Sequence, residues 1–202
     1  MIHHVLFDAD GVLQQAEDAD WRARVDRHLG DRAEEFLASL AELEAPGLTG
    51  AGDFTASLSR RLAELGVETD VEELYADVWL AMETLPETMA VVVALREAGV
   101  PVHLVTNQHP RRAEHMKATL GYAEAFDTCF YSCDLGVAKP DPAFFSLVAD
   151  RVGAAPDELL LVDDSRANIA GARDAGLHAE HWHHDEGLPA LRRRLAAHGL
   201  PD

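Results

Sequence analysis

Four short apolar runs each stop on polar side chains, and between them the chain follows a helical period. Ile2–Phe7 runs into Asp8 and Asp10, and Val102–Val105 into Thr106 and Asn107. Phe126–Tyr131 is followed, before the next helical stretch, by Lys139, and Leu159–Val162 runs into Asp163 and Asp164. Apolar runs this short read as strands buried on both faces. The segments between them read as helices over Glu87–Ala98, 110–120, Pro142–Val152 and Arg166–Ala175, stopped by Gly99, Gly121, Gly153 and Gly176. A weak strand, His178–Trp182, and a last helix, Leu188–His198, complete the pattern. This alternation predicts an α/β fold, a Rossmann-like parallel sheet with helices on both faces. Parallel strands point one way, so their polar ends share one edge, and open α/β sheets bind ligands at that edge.

The first crossing departs from this rhythm. From Glu17 to about Leu85 the chain reads as four helices with no strand between them. Trp21, Val25 and Leu29 mark the first, and Phe36, Leu37, Leu40 and Leu43 the second. Pro46–Asp53 reads as a loop. Phe54, Leu58, Leu62 and Leu65, closed by Gly66, mark the third. Thr69–Glu72 resembles a capping box before a fourth stripe, Leu74, Val78 and Met82. The expected layout is an α/β core of residues 1–14 and 87–202, with a small all-helical cap, 15–86, inserted after the first strand.

The formal net charge of -19 disfavours nucleic acid and anionic membrane as partners. An anionic substrate would need a local positive device, and the chain has two lysines, Lys117 and Lys139. Cys129 and Cys133 make no disulfide framework and read as reduced, half-buried thiols. No apolar run approaches a transmembrane span, and the N-terminus is already a strand rather than a signal peptide, so a soluble cytoplasmic protein is expected.

Carboxylates crowded on one edge require a cation among them. Mg²⁺ takes oxygen ligands and tolerates phosphate as one of them. With Mg²⁺ and Lys139 neutralising the site, Asp8 can stay ionised and attack phosphorus. Asp10 can protonate the leaving oxygen and then activate water. Thr106 and the adjacent backbone N–H groups can hold the phosphoryl oxygens, with Lys139 stabilising charge in the transition state.

"FDADGVL", "HLVTNQ", "GVAKPDPAFF" and "LLLVDDSRANIAGARDAG" resemble, in order, the four motifs of the haloacid dehalogenase-like (HAD) hydrolase superfamily. They span Val5 to Gly176, and the insertion after the first motif is similar to the helical cap of subfamily IA. The fourth motif is the paired-acid variant. The third resembles the branch that holds small sugar-phosphate phosphatases and the phosphatase lobe of mammalian soluble epoxide hydrolase. The resemblance implies Asp8 as nucleophile and metal ligand, and Asp10 as general acid–base with its backbone carbonyl on Mg²⁺. It implies Thr106, Asn107 and Lys139 as phosphate-binding, and Asp164 as the closer metal ligand, with Asp163 binding directly or through water. Asn168 is placed to orient Lys139 or a metal-bound water. The expected activity is Mg²⁺-dependent hydrolysis of a small phosphorylated metabolite, such as a sugar phosphate, through an aspartyl-phosphate. The alternatives are a mutase of the β-phosphoglucomutase type and a non-catalytic phospho-acceptor module. Dehalogenases of the family need no acid at the position of Asp10.

Other features carry less. His181, His183 and His184 read as a strand exit loop rather than a transition-metal site, for want of a partner at zinc spacing. "GLTGAG" lacks the Lys-Ser/Thr ending of a phosphate loop. Trp21, Arg22, Arg24, Arg60 and Arg61 are the cap side chains that could reach a substrate, most of them expected to be core or solvated faces.

Overall fold

A computed structural model of the chain describes residues 1–17 and 20–201. Its strands are β1 (His4–Phe7), β2 (Gln14–Ala16), β3 (Met82–Thr84), β4 (Val102–Thr106), β5 (Thr128–Tyr131), β6 (Leu159–Asp163) and β7 (His178–His181). Five form one parallel sheet in the order β5-β4-β1-β6-β7. Successive side chains alternate between its faces. Val5, Phe7, Val102, Leu104, Leu160 and Val162 pack on one side against helices 86–97, 110–119 and 188–197. Leu6, Val105, Leu159 and Leu161 pack on the other against helices 142–152 and 166–174. With both faces covered, the central strands are mostly apolar on both sides, His103 in β4 being a buried exception.

Between β2 and β3 lie helices Trp21–Leu29, Ala33–Leu48, Phe54–Leu65 and Val71–Tyr75, the last continuing as one π-turn, Ala76–Leu80. They enclose a separate apolar cluster that includes Phe36, Phe54, Leu58, Leu74, Tyr75 and Trp79. Several local expectations are corrected here. β2 and β3 pair antiparallel at the two ends of the helical segment, Gln14 opposite Thr84, where no strand was expected before Leu85. Three residues are too few for a periodicity to register. Pro46 lies inside the second helix, which runs to Leu48 instead of giving way to a loop. Its carbonyl then accepts from Ala51 and Gly52 N–H, at 2.9 and 3.0 Å, and closes the turn. The fourth helix is capped by Asp70 rather than Thr69: Asp70 Oδ1 accepts from Glu72 N–H at 2.8 Å. Met82, read as part of that helical stripe, belongs to β3. Among the described residues no helix is long and apolar enough to cross a membrane.

His103 stands inside β4, 4% exposed, with Nε2 3.1 Å from His4 Nδ1 and, among the described residues, no partner for its own Nδ1. Burial, and then the neighbouring His4, pull its pKa down to about 4. The unfolded chain, with a histidine near 6.5, binds a proton that the native one refuses. This contribution to stability is therefore complete above about pH 6.5 and is lost as pH falls towards 4. Thermal melting should fall across that window. His103→Leu should flatten the acid limb, whereas an unchanged limb would assign the loss to other groups.

Candidate active site

The register aligns the strand ends. Phe7 lies opposite both Leu104 and Val162, so Asp8 and Asp163 follow side by side, with Asp8 N–H bonded to Val162 O at 3.0 Å. Lys139, from the loop before helix 142–152, sits between them. Its Nζ is 2.8 Å from Asp8 Oδ1 and 2.6 Å from Asp163 Oδ2, and it donates to Val105 O at 3.0 Å. All three ammonium protons are thus engaged. Asp8, Lys139 and Asp163 are buried. Burial, then the Asp163 charge, raises the Asp8 pKa well above the carboxylate range. Burial alone would lower that of Lys139, but the two carboxylates raise it instead.

Asp163 also accepts from Ser165 N–H (2.8 Å) and from Asn168 Nδ2 at 3.0 and 3.1 Å. Asn168 therefore orients Asp163, and Lys139 only through it. Asp164, one residue past the strand, is half-buried, and burial followed by Asp163 raises its pKa. Carboxylate oxygens of Asp8, Asp163 and Asp164 lie within 4.8 Å of one another. Gly11, at φ +71°, permits this: a Cβ there would lie 2.6 Å from Asp164 Oδ2.

Thr106 is buried, and its Oγ1 accepts from Gln108 Nε2 at 3.2 Å. Asn107 spends both ends of its amide on the loop, donating to Lys139 O (2.7 Å) and accepting from Lys139 N–H (2.9 Å). One Nδ2 proton of Asn107 remains beyond this pair of bonds. Asp10 stands apart from the three-carboxylate group. Arg112 grips it with two bonds, Nη2 to Oδ1 at 2.7 Å and Nη1 to Oδ2 at 2.9 Å. Gln14 Nε2 adds a bond at 2.8 Å and Gln108 Nε2 one at 3.1 Å. Desolvation would raise the Asp10 pKa, but Arg112 and these amides outweigh it and hold the carboxyl below its usual range.

A cleft of about 610 Å³ opens beside these groups. Asp10, Gln14, Arg112 and Asp164 line it from the sheet edge, and Trp21, Glu44 and Trp79 from the helical segment. His183, His184 and Asp185 reach it too, their ligand atoms within 4.8 Å of one another, so this exit loop returns to the site. Of the other side chains of the helical segment, Arg24 is spent on Asp77 and Ala81 carbonyls, and Arg61 pairs with Glu35 and Glu64. Arg22 lies over the Trp21 ring, 5.7 Å from its centroid. Burial pushes both thiols up to about 11, away from the thiolate form.

The family model of haloacid dehalogenase-like hydrolases matches residues 2–176, a span that holds every strand-end residue described above. The chain belongs to this family. As a HAD-like hydrolase it is similar to hexitol phosphatase A of Escherichia coli (strain K12), 32% identical over 179 residues that cover 86% of this chain and 79% of that protein. It is similar, at 27% identity, to the validoxylamine A 7'-phosphate phosphatase of Streptomyces hygroscopicus subsp. limoneus, over 85% of this chain and 81% of that one. Its fold is similar to that of a HAD family enzyme from Bacteroides thetaiotaomicron solved with magnesium and inorganic phosphate. The TM-score is 0.79 at 20% identity, covering 95% of this chain and 99% of the other.

Three members of the hydrolase's site, Gln14, Gln108 and Arg112, escaped the sequence reading. Arg111 and Arg112 are indistinguishable there as neighbours in one helical turn. The fold sends Arg111 outward, to Glu72 at 2.8 Å and over the Tyr75 ring, and Arg112 inward, to Asp10. The four-residue spacing from Gln108 to Arg112, whose side chains bond at 3.2 Å, is the available signal.

Proposed function

We propose that this HAD-like hydrolase is a Mg²⁺-dependent phosphatase of a small phosphorylated metabolite, with a sugar phosphate the best fit, acting through a phosphoryl group carried on Asp8. The observation that carries this is Lys139 wedged between two buried carboxylates, with a third carboxylate within reach. Three carboxylates crowd one ammonium, burial and mutual repulsion oppose the ionisation of Asp8 and Asp164, and the donors are all oxygen. A hard dication fits that set, and Asp8, Asp164 and the Asp10 backbone carbonyl would hold it, with Asp163 behind them. When bound, Mg²⁺ supplies charge neutralisation to the phosphoryl oxygens and to ionised Asp8.

The chain's own groups supply the rest. An Asp8 oxygen attacks phosphorus as the ester oxygen leaves, taking a proton that Asp10 must first bind against the pull of Arg112. Thr106 Oγ1 and the Asn107 backbone N–H hold phosphoryl oxygens. Lys139 keeps the buried carboxylates tolerable and faces the charge that builds in the transition state. Asp10 then takes a proton from the water that cleaves the acyl-phosphate bond, and Asp8 is restored. We treat residues 15–86 as a cap over residues 1–14 and 87–202. A cleft with two tryptophans and a carboxylate from the helical segment suits a hydroxylated ring.

The test is phosphate release across a panel of phosphomonoesters with Mg²⁺ and with chelator. Metal-dependent release with a preference for ring-bearing esters is expected. An isomeric product without free phosphate would replace this reading with a mutase.

A further inference from the structure

A carboxylate offers about four lone-pair positions. All four on Asp10 are filled: Gln14 and Arg112 bond Oδ1, and Arg112 and Gln108 bond Oδ2. A group that must exchange protons twice per turnover has no vacant position, so one donor has to yield. Bond strength chooses which. All four bonds end on the carboxylate, but each amide is a neutral donor making a single bond, whereas Arg112 makes two parallel bonds between opposite charges, the stronger arrangement. Gln14 or Gln108 therefore releases first, and the guanidinium stays.

Arg112 is also arranged for this carboxylate rather than for its own satisfaction. Among the described residues its Nε has no hydrogen-bond partner. Beyond Asp10, Nη2 also lies 3.8 Å from the weak acceptor Met82 Sδ. The carboxylate it grips lines the cleft.

We propose that Arg112 is a positioning residue: its fork fixes the plane of the Asp10 carboxylate so that one oxygen can serve the leaving group and then the attacking water. Arg112 itself touches no reacting atom. The proposal rests on the phosphatase reading and goes beyond it by assigning the arginine.

The experiment compares Arg112→Met and Arg112→Lys with wild type on two Mg²⁺-supported probes. Glycerol phosphate has an alkoxide leaving group that needs a proton, whereas p-nitrophenyl phosphate leaves without one. Arg112→Met should lower kcat about 100-fold on glycerol phosphate and less than tenfold on p-nitrophenyl phosphate, with KM within threefold on both. Added guanidinium should restore part of it, and Arg112→Lys, which keeps the charge without the fork, should fall between. Combined with Asp10→Asn, Arg112→Met should cost nothing further. Equal losses on both probes, a change confined to KM, or additivity with Asp10→Asn would overturn the assignment while leaving the phosphatase reading intact. Release that survives Asp8→Asn would overturn both. If Arg112→Met does not fold, Arg112→Lys carries the same comparison.

Discussion

Asp8→Asn is expected to cut phosphate release by at least about 10⁴-fold while the melting temperature stays within a few degrees of wild type. The two halves of this expectation have separate causes. An amide has no anionic oxygen to form the phosphoryl bond, so the covalent route is lost rather than slowed. Stability is spared because Asp8 is a burdened group: burial and the charge of Asp163 both oppose its ionisation. The amide removes that opposition, and Lys139 keeps Asp163 and the Val105 carbonyl as partners. Phosphate release and thermal melting on one preparation decide it. An Asp8→Asn protein with wild-type turnover would end the covalent mechanism, and one that fails to fold would make Asp8 a structural rather than a chemical residue.

Lys139→Met is expected to damage both activity and fold. Removing the ammonium leaves two buried carboxylates facing each other without a counter-charge, and breaking a buried ion pair from one side costs about 3–5 kcal/mol. In a chain of 202 residues that lowers the melting temperature by roughly 10 °C. Turnover should disappear with it. Mg²⁺ should recover part of the melting temperature, since a dication bound to the native state alone stabilises it by mass action. A melting temperature unmoved by the substitution would mean that Asp8 or Asp163 is neutral in the resting protein.

Strand ends were legible because of how this sheet is buried. With helices on both faces, β1, β4 and β6 end on consecutive apolar residues, Val5–Phe7, Leu104–Val105 and Leu159–Val162, so the carboxylate or hydroxyl that follows announces the end of the strand. Asp8, Thr106 and Asp163 could be read in this way, and the shared direction of parallel strands placed them on one edge. The short elements were not legible. β2 and β3 exist because two chain segments entering and leaving the helices satisfy each other's backbone groups, a pairing 68 positions apart. The cap at Asp70 rather than Thr69 turns on one residue of backbone geometry, since His28 Nδ1 lies 3.3 Å from Thr69 Oγ1 and gives that hydroxyl another partner.

Much of the site's chemistry is local to the sequence: residue type and position at a strand end follow from burial, which the apolar pattern records. The control of Asp10 is not local. A helix presents several faces, and which one meets the site depends on what it packs against. Arg112 reaches a carboxylate 102 positions earlier in the chain, while its neighbour Arg111 turns to the helical segment, and only the packed structure separates the two.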